Sequence, residues 1–336
     1  MTQAMQTSPE RLVAVETTAR LHMGFVDLHG GLGRRFGSIG LSLDRPSTRF
    51  TATLAQNFSA TGCGAQRLVE VAEHFAQRAN LSGGAHFDIA SVIPEHAGLG
   101  SGTQLALAVG MALSHLHGLG LSVDEVAVLA GRGMRSGIGI GAFKQGGLLV
   151  DGGRGRDTQV PPIVARMDFP AAWRILLVYD PHSQGVHGKQ EVRAFGELPE
   201  FPSAQAAHIA RLLLVQALPA MAEQDLESFG RAISELQRIV GDHFAPAQGG
   251  GRYISPEVGE AMAWLESRDV HCTGQSSWGP TGFAVVAGET QAGQLLPQLE
   301  HRNPRLKYEI CSARNQGSLI TDDCRSGQMA RAVLNF

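Results

Sequence analysis

The sequence predicts an α+β protein of two domains. Its 336 residues suffice for two domains or one large one, and either could bury a sizeable core. Segments with strand-like alternation and segments with helical periodicity follow one another along the whole chain. The polar stretch 154-RGRDTQVPPIV-164 carries a proline pair and is the best candidate for a linker. We therefore expect one domain over residues 1–165 and a second over 166–336.

Strands of the first domain are predicted at three places, besides the strand into which the Gly-rich loop 30–43 returns. Residues 11–28 alternate Val and Thr with other residues, as a half-buried strand does. Residues 48–54 form a second, more polar strand, and 86–94 form a third that ends at Pro94.

Helices of the first domain are predicted from spacing and capping residues. Apolar residues recur at helical spacing over 64–80, which indicates an amphipathic helix. A second helix follows the glycines near residue 100 and runs to about His117. A third covers 122–133, where Ser122 and Glu125 have the spacing of a capping box. The Gly-rich residues 137–153 are expected to end in a short strand.

The second domain is predicted to open on a strand at 173–181. The remaining predicted elements are helices near 203–221, 223–243 and 256–267 and strands near 282–288 and 307–313.

Composition excludes several classes of protein. Hydrophobic residues make up 43% and charged residues 18%, a globular profile, and the net charge of −3 offers no basic field for nucleic acid or an acidic membrane surface. The longest apolar run, 105–113, is far shorter than the roughly 20 residues of a membrane span. The four cysteines lack metal-binding spacing, and the N-terminus lacks the pattern of a signal peptide. We expect reduced thiols and a cytoplasmic location.

The stretch 94-PEHAGLGSGTQLALAVG-110 is the strongest chemical signal. Glycines at 98, 100 and 102 let the backbone approach an oxyanion closely, and the apolar run after them predicts a helix whose N-terminus attracts anions. Ser101 and Thr103 can add hydroxyl donors or hold a metal ion. The stretch has neither the GK[ST] of a Walker A loop nor the GxGxxG of a dinucleotide fold. It indicates an anion site, with a capped Gly-rich turn as the structural alternative.

The motif PEHAGLGSGT resembles the PxxxGLGSS motif of the GHMP small-molecule kinase superfamily. The order of elements, and 273-TGQSSWGPTGFAVV-286 in the position of a third motif, extend this resemblance over nearly the whole chain. The resemblance implies an N-terminal domain like domain 2 of ribosomal protein S5 and a ferredoxin-like C-terminal domain. It also implies that the glycine loop cradles a polyphosphate.

One feature departs from the kinase pattern. Kinases of this superfamily often carry an acid in the second motif, in a stretch similar to SGIxD, where it orients or deprotonates the attacking hydroxyl. The matching stretch here is 136-SGIGIGAFKQGG-147, and no Asp or Glu occurs between Glu125 and Asp151. Some kinases of the superfamily also lack this base, so the kinase interpretation is weakened and not removed.

Two longer stretches point to a non-kinase branch. The segments 19-ARLHMGFVDLHGGLGRRFGSIGLSLDRP-46 and 275-QSSWGPTGF-283 resemble those of the β-ribofuranosylaminobenzene 5′-phosphate synthases. This resemblance implies condensation of phosphoribosyl diphosphate with 4-aminobenzoate or 4-hydroxybenzoate, with release of CO2 and diphosphate. It places the reaction early in the synthesis of tetrahydromethanopterin-type one-carbon carriers. It also implies Mg²⁺ as a cofactor and a homodimer.

The first segment supplies three candidate catalytic residues. Arg20 and His22 share one face of the predicted strand, and Asp27 lies beside its end. Arg20 can clamp a phosphate or carboxylate with two hydrogen bonds, and Asp27 can bind ribose hydroxyls or, with Ser101, the metal. The structural alternative is a surface Arg–Asp pair and a core histidine.

Two more basic positions are candidates for anion contacts. Arg35 follows Arg34 in the Gly-rich loop after the first strand, where both are either phosphate contacts or solvated charges. Lys144 lies in the Gly-rich segment that lacks the kinase acid. A cation there fits a catalytic site for an aryl carboxylate or phosphate, with an exposed lysine as the alternative.

The stretch 180-DPHSQGVHGKQE-191 follows a strand end, where functional loops collect. We expect it to close over substrate, with Asp180 as a catalytic candidate and His182 as a binding candidate. His187 and Glu191, four residues apart, are weak candidates for a metal pair.

The third motif offers a polar loop with an aromatic residue. Ser276, Ser277 and Gly279 present hydroxyls and accessible backbone to a substrate. Trp278 either stacks on the ring of the aryl acid or belongs to the core.

Three functions are consistent with the sequence. The first is the decarboxylating transferase just described. The second is an ATP-dependent small-molecule kinase, and the third is a non-catalytic protein that binds a phosphorylated metabolite. The stretch without acids over 126–150 favours the first over the second.

Overall fold

The computed structural model describes residues 10–185 and 188–325. Two β-sheets of seven and four strands are covered by helices, which confirms the predicted α+β class. No helix within the described residues is long and apolar enough to cross a membrane.

The seven-stranded sheet is built around two long strands, β1 (Glu10–Asp27) and β2 (Phe36–Ala55). The first half of β2 pairs with β5 (Leu148–Asp151), and the second half pairs with β4 (Gly84–Ser91). The edges are formed by β3 (Ser59–Gly62), which is parallel to β4, and by β6 (Ile163–Met167) and β11 (Leu319–Arg325).

Four helices accompany this sheet. They are α1 (Ala65–Ala79), α2 (Ser101–Leu116), α3 (Val123–Leu129) and α4 (Ile138–Gln145). The predicted capping box at the start of α3 is confirmed, since Ser122 and Glu125 exchange both hydrogen bonds. The sequence did not predict α4, which occupies the Gly-rich second motif.

The four-stranded antiparallel sheet has the order β10–β7–β9–β8. Its strands are β7 (Arg174–Tyr179), β8 (Cys272–Gln275), β9 (Gly282–Val286) and β10 (Lys307–Cys311). The third motif is therefore the connection between β8 and β9, an antiparallel pair.

The second half of the chain also contributes helices. They are α5 (Gly188–Glu197), α6 (Ser203–Leu212), α7 (Leu218–Glu223), α8 (Leu226–Phe244), α9 (Pro256–Glu266) and α10 (Glu289–Arg302). A π-helical turn, Leu213–Ala217, joins α6 to α7, so the helix predicted near 203–221 is continuous but not uniform.

One hydrophobic core spans the two halves of the chain. It joins Leu21 and Phe25 of β1 to Leu177 of β7 and Leu236 of α8, all at most 5% exposed. The last strand, β11, pairs with β1 and so belongs to the first sheet, although it lies in the predicted second domain. The boundary predicted at residue 165 falls within β6, also in the first sheet. The division into 1–165 and 166–336 stays a prediction.

Candidate functional site

Three sequence segments that are far apart in the chain meet at the start of α2. The backbone N–H of Arg20 donates to the Leu99 carbonyl (3.1 Å), and the N–H of Ser277 donates to the His22 carbonyl (3.1 Å). The side chain of Arg20 reaches the Gly98 carbonyl through Nη1 at 2.6 Å. Strand β1, the glycine loop and the β8–β9 connection are thus tied directly to one another.

Ser276 is the central link among these segments. Its side chain is fully buried, its Oγ donates to the Gly98 carbonyl at 2.8 Å, and it accepts a hydrogen bond from the His22 N–H at 3.1 Å. One hydroxyl therefore sets the spacing between the glycine loop and β1. The residue predicted to bind substrate has a positioning role in this geometry.

Glycine is required where the glycine loop touches the third motif. Gly98 has φ +77°, and a Cβ built there would lie 2.3 Å from the Ser276 carbonyl oxygen. A Cβ on Gly279 would lie 2.4 Å from the Gly98 Cα. The two backbones are therefore in contact, and neither position accepts a side chain without movement.

The start of α2 has the properties of an anion site. Gly100 precedes it in the left-handed conformation (φ 80°), no side chain caps it, and its first turn contains no acidic residue. The first N–H groups of a helix lack partners within the helix and carry the positive end of its dipole. The N–H groups of Thr103 and Gln104 donate to the Gly100 carbonyl, both at 3.0 Å, which leaves those of Ser101 and Gly102 available to an anion, as the motif predicts.

The start of α2 faces a cavity of about 300 Å³. Nine of the predicted site residues line this cavity: Arg20, Gly98, Gly100, Ser101, Gly102, Thr103, Ser277, Trp278 and Gly279. Two arginines that sequence reasoning missed, Arg67 and Arg132, line it as well. No Asp or Glu is among its described lining residues.

The missed arginines carried only weak signals in the sequence. Arg67 lies in the first turn of the predicted helix 64–80, and Arg132 lies in the last turn of the predicted helix 122–133. Helical periodicity predicts which face of each helix is buried. It does not predict that both helix ends meet the start of α2.

His22 lies behind the cavity wall and is neutral. Burial, and then the charge of Arg20, lower the pKa of His22 to about 3. Its ring packs against Phe25 (centroids 4.6 Å apart) and borders a cavity of about 20 Å³ under α8, separate from the cavity at α2. Arg20 and His22 pair in regular register with Ser42 and Gly40 of β2, so the predicted shared face holds. The two side chains nevertheless reach different cavities, because that of Arg20 extends to the Gly98 carbonyl while the His22 ring packs against Phe25.

Trp278 lines the cavity and also belongs to the core. It is 3% exposed, and its ring packs on Phe244 (centroids 4.3 Å apart) and edge-on against Phe195 (5.4 Å). Its packing therefore agrees with the second of the two roles considered from the sequence, that of a core residue. Stacking on an aryl acid stays a prediction for the part of the ring that borders the cavity.

Lys144 lies outside the cavity. It is at the end of α4, 37% exposed, and its Nζ forms an ion pair with Asp124 at 2.7 Å. The sequence placed it in the site because it lies in the Gly-rich second motif, where the kinase acid is missing. That motif folds into α4, whose first residues face α2 while Lys144 lies a turn and a half further on.

Asp180 and His182 lie in or beside a second cavity, of about 520 Å³. Burial alone would raise the pKa of the Asp180 carboxyl, but hydrogen bonds from Ser183, Ser255 and the His182 N–H hold that pKa below its usual value. Asp180 lines the second cavity, whereas the His182 side chain is exposed. His187 and the side chains of Lys189 and Glu191 lie outside the described residues, so the predicted metal pair and closing loop stay predictions.

Asp27 and Arg35 shape the turn between β1 and β2. One oxygen of Asp27 accepts hydrogen bonds from the N–H groups of His29 and Gly30, both at 2.8 Å. The Nε of Arg35 donates to the Leu28 carbonyl, and its guanidinium lies 5.4 Å above the Phe36 ring. Neither residue lines the cavity at α2. Their predicted roles toward ribose, metal and phosphate have no support from this arrangement.

The second motif shows why the kinase acid is missing. In 136-SGIGI-140 the acid of the kinase pattern corresponds to Ile140, which is 2% exposed and packs in the core with α2. A Cβ on Gly139 would lie 2.9 Å from Thr103 Cγ2, so α4 rests closely on the first turn of α2. The side chain of Gln104 fixes this contact by donating to the Gly139 carbonyl at 2.7 Å. The motif supports the glycine loop and presents no carboxylate to the cavity.

The residues that line the cavity fit a protein-held Mg²⁺ poorly. Mg²⁺ is usually bound by one or two carboxylates together with phosphate oxygens and water. The hydroxyls of Ser101 and Thr103 are present, but the described lining has no carboxylate, and Asp27 is engaged in its turn. No group of three His, Cys, Asp or Glu side chains among the described residues is arranged to hold a metal.

Comparison with known proteins places these motifs in a family. Residues 66–147 match the family model of the GHMP kinase N-terminal domain, and residues 217–305 match that of the GHMP kinase C-terminal domain. These spans contain the glycine loop, the second motif and the third motif.

Curated relatives cover almost the whole chain. The β-ribofuranosylphenol 5′-phosphate synthase of Archaeoglobus fulgidus is 34% identical over 324 residues, which is 91% of this chain and 98% of that protein. The enzyme of the same name from Methanocaldococcus jannaschii is 33% identical over 299 residues, covering 80% of this chain and 88% of the other.

A solved structure shares the fold at low sequence identity. Homoserine kinase from Cytophaga hutchinsonii superimposes with a TM-score of 0.64 at 15% identity, covering 96% of this chain and 99% of that one. This similarity concerns the fold alone, and it confirms the predicted GHMP-kinase-like architecture.

Proposed function

The chain belongs to the β-ribofuranosylphenol 5′-phosphate synthase family of the GHMP superfamily, and from this premise we propose that it is a decarboxylating ribosylphosphate transferase. In this reaction phosphoribosyl diphosphate and a 4-substituted benzoate condense, and CO2 and diphosphate are released. The product is a ribofuranosyl arene 5′-phosphate. It is an early intermediate of tetrahydromethanopterin-type carriers.

The observation that carries the proposal is the charge of the cavity at α2. Its described lining combines a helix N-terminus with three arginines and no carboxylate. Such a site stabilises a departing anion and offers no carboxylate base to an attacking hydroxyl. The buried Ile140 in place of the kinase acid supports the same choice. The ATP-dependent kinase is therefore the less favoured function.

The chemistry of the proposed reaction matches this arrangement. Breaking the C1–O bond leaves positive charge on the ribose, as in glycosyl transfer, and negative charge on the diphosphate. The N–H groups at the start of α2 and the guanidinium of Arg20 lie where they stabilise that negative charge. Preorganised donors of this kind contribute several kcal/mol to catalysis, roughly 3–4 for a single oxyanion donor.

No proton acceptor is needed at the ring carbon. The electron-rich ring attacks C1 through the carbon that carries the carboxylate. The bond to the carboxylate then breaks, its electron pair restores the aromatic ring, and CO2 leaves. The leaving group at that carbon is thus CO2 and not a proton, which agrees with a cavity whose described lining has no carboxylate.

We propose that Mg²⁺ arrives with the diphosphate and is not held by side chains. The donor set of the cavity supports this, because it provides hydroxyls and guanidinium groups. The three arginines then neutralise the part of the negative charge of the diphosphate that the metal does not.

We propose 4-hydroxybenzoate as the preferred aryl acid, because the relatives are named for a phenol product. 4-Aminobenzoate is the second candidate, since its amino group also enriches the ring in electrons.

The test is a reaction without ATP. Purified protein with phosphoribosyl diphosphate, Mg²⁺ and either acid is expected to release CO2 and diphosphate in equal amounts, with a higher kcat/KM for the hydroxy acid. Consumption of ATP with a small alcohol, and no CO2 from either acid, would overturn the proposal.

A further inference from the structure

Two arginines flank the start of α2 on the side away from Arg20. A Cβ on Gly102 would lie 3.4 Å from Arg67 Nη2 and 3.7 Å from Arg132 Nη1. A Cβ on Gly100 would lie 3.1 Å from the guanidinium carbon of Arg20. Cations therefore stand beside two positions at the start of α2, one beside Gly100 and two beside Gly102.

Arg132 is buried next to the like charge of Arg67. Burial, and then the nearby charge of Arg67, lower its pKa. Its Nε is buried, and none of the described residues accepts a hydrogen bond from it. A guanidinium that faces a like charge and has a buried N–H without an acceptor is strongly stabilised by an anion that accepts two hydrogen bonds from it.

Arg67 is positioned by an acidic partner outside the cavity lining. Its Nη1 forms an ion pair with Glu95 Oε1 at 2.8 Å, while its Nη2 is the atom nearest to Gly102. Glu95 thus fixes the arginine from one side and leaves the other side for a ligand. It acts as a positioning residue.

We propose that Arg67 and Arg132 bind the terminal phosphate of the diphosphate, while Arg20 and the N–H groups at Gly100 bind the phosphate next to C1. This assignment rests on the proposed function for the identity of the ligand. When the C1–O bond breaks, its electron pair goes to the diphosphate, and the two arginines stabilise the added charge. They also favour a diphosphate over a single phosphate, because only a diphosphate has a second phosphate group to place beside Gly102.

Direct binding of inorganic diphosphate and orthophosphate tests the assignment by calorimetry. Relative to wild type, we expect Arg132→Gln to weaken diphosphate binding about 10- to 100-fold, the loss of one or two charge-assisted hydrogen bonds. Orthophosphate binding should change less than about threefold, since Arg20 and the helix start remain. Arg78→Gln, an exposed arginine on the same helix as Arg67, is the matched control and should change neither.

Arg132→Lys separates charge from geometry and guards against misfolding. It keeps the charge but loses the planar pair of donors, so it should recover only part of the diphosphate affinity. Diphosphate binding equal to wild type in both Arg132 variants, or an equal loss of orthophosphate binding, would overturn the assignment.

The same experiment separates this assignment from the proposed function. If wild type releases CO2 but Arg132→Gln binds diphosphate normally, the transferase stands and the arginine assignment fails. If diphosphate binding depends on Arg132 but no CO2 is released from any aryl acid, the anion site stands and the transferase fails.

Discussion

Replacing Ser276 by alanine tests how the three motifs are held together. The change removes one buried hydroxyl and adds no atom that could clash with the backbone. In the wild type this hydroxyl donates to the Gly98 carbonyl and accepts from the His22 N–H.

The cost can be worked out from the two partners. Gly98 O keeps its hydrogen bond from Arg20 Nη1 at 2.6 Å, so that carbonyl stays satisfied. The His22 N–H lies in a buried position and loses its acceptor. An orphaned buried donor costs about 1–3 kcal/mol, so Ser276→Ala should lower the free energy of unfolding by about that amount.

The assay is urea unfolding of purified variants, with Ser42→Ala as the control. Ser42 is as deeply buried as Ser276, and none of the described residues shares a hydrogen bond with its Oγ. The control should therefore change the free energy of unfolding by less than about 0.5 kcal/mol. Equal effects of the two substitutions would refute the argument that Ser276 links the motifs.

Three further predictions follow from the same geometry. Gly98→Ala should lower diphosphate affinity at least about tenfold, because its Cβ would lie 2.3 Å from the Ser276 carbonyl oxygen. Gly33→Ala is the control in the same calorimetric measurement, because Gly33 has a similar φ of +81° and a Cβ there would have nothing within 4 Å. This variant should bind diphosphate normally. The pKa of His22 is about 3 in the folded protein, whereas the unfolded chain takes up a proton near pH 6.5. The free energy of unfolding should therefore fall by about 1.4 kcal/mol per pH unit as the pH is lowered from 6 to 4. Urea unfolding of His22→Gln should lack this component, and identical pH profiles would contradict the assignment. Lys144→Ala breaks only a surface ion pair, so kcat/KM should stay within about twofold of wild type and stability within about 1 kcal/mol; a large loss of activity would return Lys144 to the site.

The glycine loop was the part of the site best predicted from sequence. Its residues at 98, 100 and 102 and the helix after them are local features, and local spacing determines both the turn and the helix start. The meeting of this loop with Arg20 and Ser277 could be expected only from the family resemblance, because it depends on contacts between residues nearly 180 positions apart.

Other parts of the site and fold depend on packing that a single sequence does not show. The Gly-rich residues 137–153 were expected only to end in a short strand, and their helix α4 was not predicted. At the start of α4, the buried Asp151 accepts hydrogen bonds from the Ser136 hydroxyl and the Gly137 N–H. Strand β11 is defined by its pairing with β1, more than 290 residues away. Arg67 and Arg132 reach the cavity only because α1 and the residues after α3 both pack around α2.

Two predicted site residues, Asp27 and Asp180, also shape turns. Asp27 and Asp180 both follow strand ends, where functional residues often lie. Both carboxylates instead accept backbone N–H groups two residues further on. This is a common structural use of Asp at such positions. Spacing alone does not distinguish a carboxylate that shapes a turn from one that faces a substrate.

The fate of the carboxyl carbon tests the central claim most directly. With carboxyl-¹³C-labelled 4-hydroxybenzoate, phosphoribosyl diphosphate and no ATP, we expect one labelled CO2 for each diphosphate released. Retention of the label in a phosphorylated or ribosylated product would show that the ring is not attacked at its carboxyl-bearing carbon. That result would contradict the decarboxylating transfer proposed for the cavity at α2.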